Sequence, residues 1–269
     1  MNDESSILSI NETLAAPVIT KYSFGTVAIY NACSPERTDN TNGDSVGVFD
    51  LLNNAGVLAI ADGAGGTPGG DKASGELIAT LRTELTKFGA DSGPSTLREI
   101  ILDVFDESNQ LLLGLKTGAA STFSVVEVSS DAIRAYHVGD SPIWVIGKKG
   151  KVKFETITHS PAGYALESGL VKEGDISIDD KTIYVNNLVG TKEMRIDVGP
   201  SIQLESLDTV VICSDGISDN LSKEEIFDII RLGGIEEAAT NLIKNLTERL
   251  EKGKNTKPDD HSFILFRPL

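Results

Sequence analysis

Four aspartates, Asp62, Asp140, Asp215 and Asp259, stand at the borders of short hydrophobic runs that lie far apart in the chain. Gly56-Val57-Leu58-Ala59-Ile60-Ala61 breaks into Asp62-Gly63, Ala132 to Val138 into Gly139-Asp140-Ser141, and Thr209 to Cys213 into Ser214-Asp215-Gly216. The pair Asp259-Asp260 precedes the strand-like Ser262-Phe263-Ile264-Leu265-Phe266. Runs of this length read as buried strands, and an Asp-Gly break ends them, so each carboxylate is carried at the end of a strand. Oxygen donors held rigidly in this way suit hard divalent cations such as Mg²⁺ and Mn²⁺, and the chemistry such ions support is metal-assisted hydrolysis. A single Asp-Gly is an ordinary turn dipeptide; the joint occurrence is what points to a site.

The elements that must position these residues are short strands interrupted by two pairs of helices. Strands are expected at 22–31, 45–50, 56–61, 121–128, 132–138, 142–147, 152–157, 183–188, 209–213 and 262–267. Lys72 to Phe88 carries Leu77, Ile78, Leu81 and Leu85 at helical spacing, and Ser95 to Leu115 does so with Leu97, Ile101, Val104 and Leu111, Ser95 being the expected N-cap. A third helical region runs from Ser222 to about Leu250, split by Gly233-Gly234. Strands, two helices, strands and two helices again suggest mainly antiparallel sheets covered by helices rather than strict βαβ alternation. Residues 1–20 read as a tail or an edge strand, and 159–200, with weak periodicity, as a surface insertion that moves.

With 269 residues, 40% of them hydrophobic, the chain can bury one large core. Its net charge of −16 argues against nucleic acid and against an anionic membrane surface as partners. Cys33 and Cys213 form no short-spaced cluster, which excludes a disulfide framework and a zinc site. Residues 1–16 lack a basic n-region followed by an apolar run, and no stretch approaches a membrane span, so the expected location is cytoplasmic. Gly65 to Lys72 comes near a nucleotide-binding P-loop, but Asp71 falls where its lysine belongs. Neither cysteine has an arginine six residues later, so the cysteine-phosphatase loop is absent.

The order Asp62-Gly63-x-Gly65-Gly66, Ser121-Thr122, Gly139-Asp140-Ser141, Ser214-Asp215-Gly216 with Asp219, then Asp259-Asp260-x-Ser262, resembles the metal-dependent serine/threonine protein phosphatases of type 2C, in their bacterial form. The resemblance spans about residues 25 to 267. It implies an α+β fold, a four-layer α/β/β/α sandwich with two central antiparallel sheets, here a phosphatase domain over 21–269 with a flap-like insertion at about 159–200. It also implies a binuclear Mn²⁺ or Mg²⁺ centre in which Asp62 bridges both ions, the Gly63 carbonyl binds one, and Asp215 and Asp259 complete the other. Asp140 matches the position associated with a third, weaker ion in bacterial members; the alternative is a turn aspartate after the strand at 132–138. Asp219, four residues after Asp215, either supports the metal shell or caps the next helix.

Three positions depart from the family pattern. Asp44, counted by the resemblance among the metal-site residues, stands where the family has a Glu-Asp or Gln-Asp pair, but Gly43 precedes it, so one water-mediated ligand of the family is missing. Ala64 replaces the histidine that eukaryotic members use as a general acid. The phosphate-holding arginine is expected five residues before Asp44, where this chain has Asp39; Arg37 either takes over that role through a loop shift or is a solvated charge. The implied activity is hydrolysis of phosphoserine or phosphothreonine on proteins by a monomeric enzyme opposed by a serine/threonine kinase in signalling. The alternatives are a catalytically weak regulatory binding module and a phosphatase of small metabolites.

Overall fold

A computed structural model describes residues 6–65, 69–90, 96–172, 185–253 and 256–269. The strands are β1 (Ile7–Ile10), β2 (Val18–Tyr22), β3 (Gly25–Ala32), β4 (Asp44–Asp50), β5 (Ala55–Asp62), β6 (Phe123–Ser129), β7 (Ala132–Val138), β8 (Ile143–Ile146), β9 (Val152–Glu155), β10 (Asp197–Val198), β11 (Ile202–Gln203), β12 (Thr209–Cys213) and β13 (His261–Pro268). The helices are α1 (Gly70–Ala90), α2 (Leu97–Leu115), α3 (Pro161–Glu167), α4 (Asp215–Ser218), α5 (Lys223–Ile230) and α6 (Ile235–Lys252). One sheet runs β1-β4-β5-β6-β7-β10 with β11 also on β7, the other β2-β3-β13-β12-β8-β9, and all the pairings are antiparallel.

Both faces of each sheet are covered, which explains why the strands read as nearly unbroken apolar runs rather than alternating ones. In β5, Leu58 and Ile60 point into the inter-sheet core with Ile29, Val210 and Ile264, whereas Val57, Ala59 and Ala61 point outward against Leu77, Leu81 and Phe105 of α1 and α2. On the far side, Ala28, Val211 and Cys213 meet Ile226, Phe227 and Leu242 of α5 and α6. This is the four-layer α/β/β/α sandwich. Each fully buried Leu or Ile contributes about 1.5–3 kcal/mol, so the outward rows of the sheets are as important as the inner ones.

The helix starts are chemically explicit. Thr96, one residue after the expected Ser95, which lies outside the described residues, caps α2: its Oγ1 accepts from the Glu99 amide at 3.3 Å while Glu99 accepts from the Thr96 amide at 2.6 Å. Ser222 and Glu225 form the same box at α5, and Gly233, at φ 65°, ends the segment before α6. The expected strand at 183–188 is not found where it can be followed: 185–188 carry no strand, and pairing there reduces to a bridge between Val189 and Ser121. The short strands β10 and β11 lie instead against β7, and the segment 159–200 also holds α3. Two- and seven-residue elements are too short to leave a periodic signal. Within the first twenty residues, β1 is an edge strand on β4 and β2 an edge strand on β3.

Candidate active site

Antiparallel pairing of β4 with β5 sets Asp44 directly opposite Asp62, at the end of the first sheet. The end of β5 is locked: the Asp62 amide donates to Thr122 Oγ1 at 3.1 Å, and its carbonyl accepts from the Thr122 amide and Ser121 Oγ, both at 2.8 Å. Gly63 then turns under Gly70, where a Cβ would fall 2.2 Å from the Gly70 carbonyl oxygen, and its amide donates to the Gly43 carbonyl at 3.0 Å. Asp140 follows β7 through Gly139, whose φ of 111° no L side chain adopts readily. The second sheet contributes the rest, with Asp215 opening α4 after β12 and Asp259 just ahead of β13. The motif residues of five separate segments are thereby gathered at one end of the sandwich.

Their like charges press on one another. Burial first, and then the carboxylates of Asp44, Asp215, Asp140 and Asp259, push the Asp62 carboxyl well above the usual carboxylate range. Asp44 and Asp140 rise to about 8, each by burial first, with Asp260 and Asp215 adding like charge at Asp44 and Asp215 and Asp219 at Asp140. Asp44 Oδ2 accepts from Ser214 Oγ at 2.7 Å, a bond that joins the two sheets, while Asp44 Oδ1 is buried with no hydrogen-bond partner among the described residues. Counter-charge comes from Lys257, whose Nζ lies 2.5 Å from Asp215 Oδ2, 3.2 Å from Asp219 Oδ2 and 3.4 Å from Asp259 Oδ2. Although burial lowers the affinity of this amine for a proton, Asp215 and Asp219 outweigh burial and raise it.

Among the described residues, no three His, Cys, Asp or Glu side chains stand as a closed ligand set. The chemistry nevertheless suits a hard divalent cation: the donors are all carboxylate oxygens, one of them, Asp44 Oδ1, is orphaned, and an ammonium already neutralises three of them. Asp219 accepts from Lys257 and leaves the capping of α5 to Ser222, so of its two readings the structure favours support of the acidic cluster.

Arg37 reaches this end of the molecule. Its Nη2 lies 2.9 Å from Asp260 Oδ2, and Nη1 donates to Thr41 Oγ1 at 3.2 Å. Asp260, almost fully buried, also accepts from the Ser34 amide at 2.7 Å and the Gly43 amide at 2.6 Å. A Cβ on Gly43 would stand 3.0 Å from Asp260 Oδ2, so the departure at residue 43 opens the space that this clasp uses. Sequence reading found neither the clasp nor Lys257. A lone lysine in a polar loop carries no periodic signal, though its place two residues before Asp259 is a cue in retrospect.

A cleft of about 450 Å³ extends from Asp140, Asp215 and Asp219 between α3 and β8, past Pro142, Trp144, Thr158 and Leu166. At its rim His159 is buried: Nδ1 accepts from the Gly139 amide at 3.0 Å, and Nε2 lies 3.0 Å from Asp197 Oδ2. The residue that opens the insertion is thus tied to the turn that carries Asp140. His137 is buried behind it and held neutral, first by burial and then by His159. His261 packs on Tyr30, and Cys213 lies in the core.

Residues 34–252 match the protein phosphatase 2C family. Protein phosphatase PhpP of Streptococcus pneumoniae is 26% identical over 217 residues, covering 76% of this chain and 83% of that protein. The crystal structure of the serine/threonine phosphatase Stp1 from Staphylococcus aureus superposes with a TM-score of 0.77 at 19% identity, over 95% of this chain and all of that one. The catalytic domain of the serine/threonine protein phosphatase PstP, solved with two manganese ions, superposes with a TM-score of 0.67 at 19% identity, over 90% and 96% of the two chains.

Proposed function

This chain belongs to the protein phosphatase 2C family, and on that premise we propose that it hydrolyses phosphoserine and phosphothreonine on proteins, using two Mn²⁺ or Mg²⁺ ions held by Asp62, the Gly63 carbonyl, Asp215 and Asp259. The carrying observation is the electrostatic one: the four other motif aspartates, Asp44, Asp140, Asp215 and Asp259, all press on Asp62. Bound divalent ions would supply an acidified water as the nucleophile and neutralise charge on the phosphoryl oxygens. Asp62, with its backbone fixed by Ser121 and Thr122, carries its carboxylate at the end of β5, and Asp44 stands opposite it on the paired strand. Arg37, oriented by Asp260 and by both oxygens of Thr41, offers a guanidinium donor beyond these contacts to a phosphate oxygen. Asp140 faces the cleft and offers a carboxylate for a third, weaker ion. Ala64 brings no acid to the leaving seryl oxygen.

The cleft supports a peptide as substrate, since it continues well beyond the acidic cluster over apolar Trp144 and Leu166. An opposing serine/threonine kinase, a cytoplasmic location and a monomeric state go with this reading. Turnover of a phosphothreonine peptide with Mn²⁺ tests it: Asp62→Asn and Asp215→Asn are expected to lose about a thousandfold or more in kcat/KM with the fold retained by circular dichroism. Wild-type-like turnover in either variant counts against the assignment. One observation, the ammonium of Lys257 among the carboxylates, favours a catalytically weak binding module, and the absence of p-nitrophenyl phosphate hydrolysis at any Mn²⁺ concentration would support that reading.

A further inference from the structure

Lys257 is held in place by its backbone as well as by its charge. The side-chain amide of Asn220 grips the lysine's main chain from both sides: the Lys257 amide donates to Asn220 Oδ1 and Asn220 Nδ2 donates to the Lys257 carbonyl, each at 2.8 Å. Asn220 is itself fixed, with Nδ2 also donating to the Gly216 carbonyl at 2.8 Å and its carbonyl accepting from Arg249 Nη1 at 3.0 Å. Pro258 follows Lys257 directly and fixes its own φ, so little backbone freedom separates the lysine from Asp259. A side chain emerging from so fixed a backbone, with Nζ within 3.4 Å of three carboxylates, is a built feature.

The ammonium and a divalent ion both seek the oxygens of Asp215, Asp219 and Asp259, and their like charges oppose each other at such close range. We propose that Lys257 is a tethered cation that occupies the Asp215 and Asp259 side of the site when no divalent ion is bound and must be displaced for that ion to enter. This rests on the metal-dependent reading given above. It makes Lys257 a determinant of metal affinity rather than a catalytic residue: it holds the acidic cluster together in the metal-free protein and sets a threshold of Mn²⁺ below which that side stays closed. Local concentration of the ammonium is fixed by the chain, so the competition depends on the free divalent ion alone.

Isothermal titration of Mn²⁺ into the metal-free full chain, compared with Lys257→Met and with Lys223→Met, tests the proposal. Lys223, whose Nζ lies 2.9 Å from Glu155 at the same cleft, controls for simple loss of positive charge. Lys257→Met is expected to bind at least one Mn²⁺ about tenfold or more tightly than wild type and to melt at a lower temperature without metal, the gap closing at saturating Mn²⁺; Lys223→Met is expected to bind as wild type does. Equal Kd values for Lys257→Met and wild type overturn the role of Lys257, as does equal tightening in both variants. If wild type and both variants bind no Mn²⁺, the metal reading itself falls. Should Lys257→Met not fold, ¹⁵N-lysine labelling of wild type carries the test: the Lys257 Nζ resonance, assigned by its loss in Lys257→Arg, is expected to shift as Mg²⁺ binds. A resonance unmoved by Mg²⁺ that calorimetry shows to be bound overturns the proposal.

Discussion

Removing the Asp260 carboxylate is expected to damage the fold and the phosphate site through one set of bonds. In Asp260→Ala the amides of Ser34 and Gly43 lose their acceptor in a buried setting, at about 1–3 kcal/mol each. The pair with Arg37 adds at most about 1 kcal/mol, because the arginine is a third exposed and water screens it. Midway through these ranges the expected loss is about 4–5 kcal/mol. Asp260→Asn keeps one carbonyl oxygen, which can serve Gly43 and Arg37, and turns its NH₂ on the Ser34 amide, so its cost is about half as large. Urea unfolding of the metal-free protein measures both: with m about 2–3 kcal/mol/M, Asp260→Ala moves the midpoint down by about 1–2 M with m unchanged. In parallel, loss of the arginine's anchor is expected to raise KM for a phosphopeptide in both variants. A midpoint shift under about 0.2 M in Asp260→Ala refutes the clasp, and a destabilised protein with wild-type KM refutes the link from the clasp to phosphate binding.

Arg37→Ala is expected to raise KM for a phosphopeptide about tenfold while changing kcat little, as loss of ground-state phosphate binding does, and steady-state kinetics with unchanged KM would return Arg37 to the role of a solvated charge. Asp140→Asn is expected to keep two ions by calorimetry yet lose the part of the rate that rises after those ions are bound; rate-versus-Mn²⁺ curves that coincide with wild type would make Asp140 a turn residue. Stability of the metal-free protein is expected to fall by about 2–3 kcal/mol between pH 7 and 8.5. Asp44 and Asp140 are raised in the fold to about 8, so the stability they contribute is complete below the unfolded carboxylate pKa near 4 and is lost as pH rises through 8. Thermal melts should show that slope, and saturating Mg²⁺ should flatten it.

What the sequence disclosed and what it concealed divide along physical lines. Asp62, Asp140 and Asp215 were visible because a strand end is written as an apolar run broken by Asp-Gly or Gly-Asp, a local signal. Sheets covered by helices were visible because helix and strand periods alternate in blocks, whereas the four layers followed from the family resemblance. The Arg37 clasp was not, since it depends on the path of a loop between residues 33 and 43 and on a partner at residue 260, and neither has a period. Lys257 was concealed for the same reason, its significance lying in a contact with Asp215 across the end of the second sheet. The cap at Thr96 rather than Ser95 turned on which hydroxyl has a glutamate three residues ahead, and Glu99 decides it.

The position of β13 in the second sheet has a consequence for how the molecule is made. This strand follows the other described strands in chain order, yet it lies between β3, with which it pairs from Gly25 to Ala32, and β12. On the ribosome, a nascent chain that has emerged as far as α6 therefore holds two open strand edges facing a gap, and lacks Asp259 and Asp260 together. The strand that closes this sheet is the latest in chain order of those described, so a chain made only as far as α6 has an unfinished core. A chain that stops short of β13 therefore leaves the facing edges of β3 and β12 unpaired and lacks two of the acidic residues gathered at the end of the sandwich.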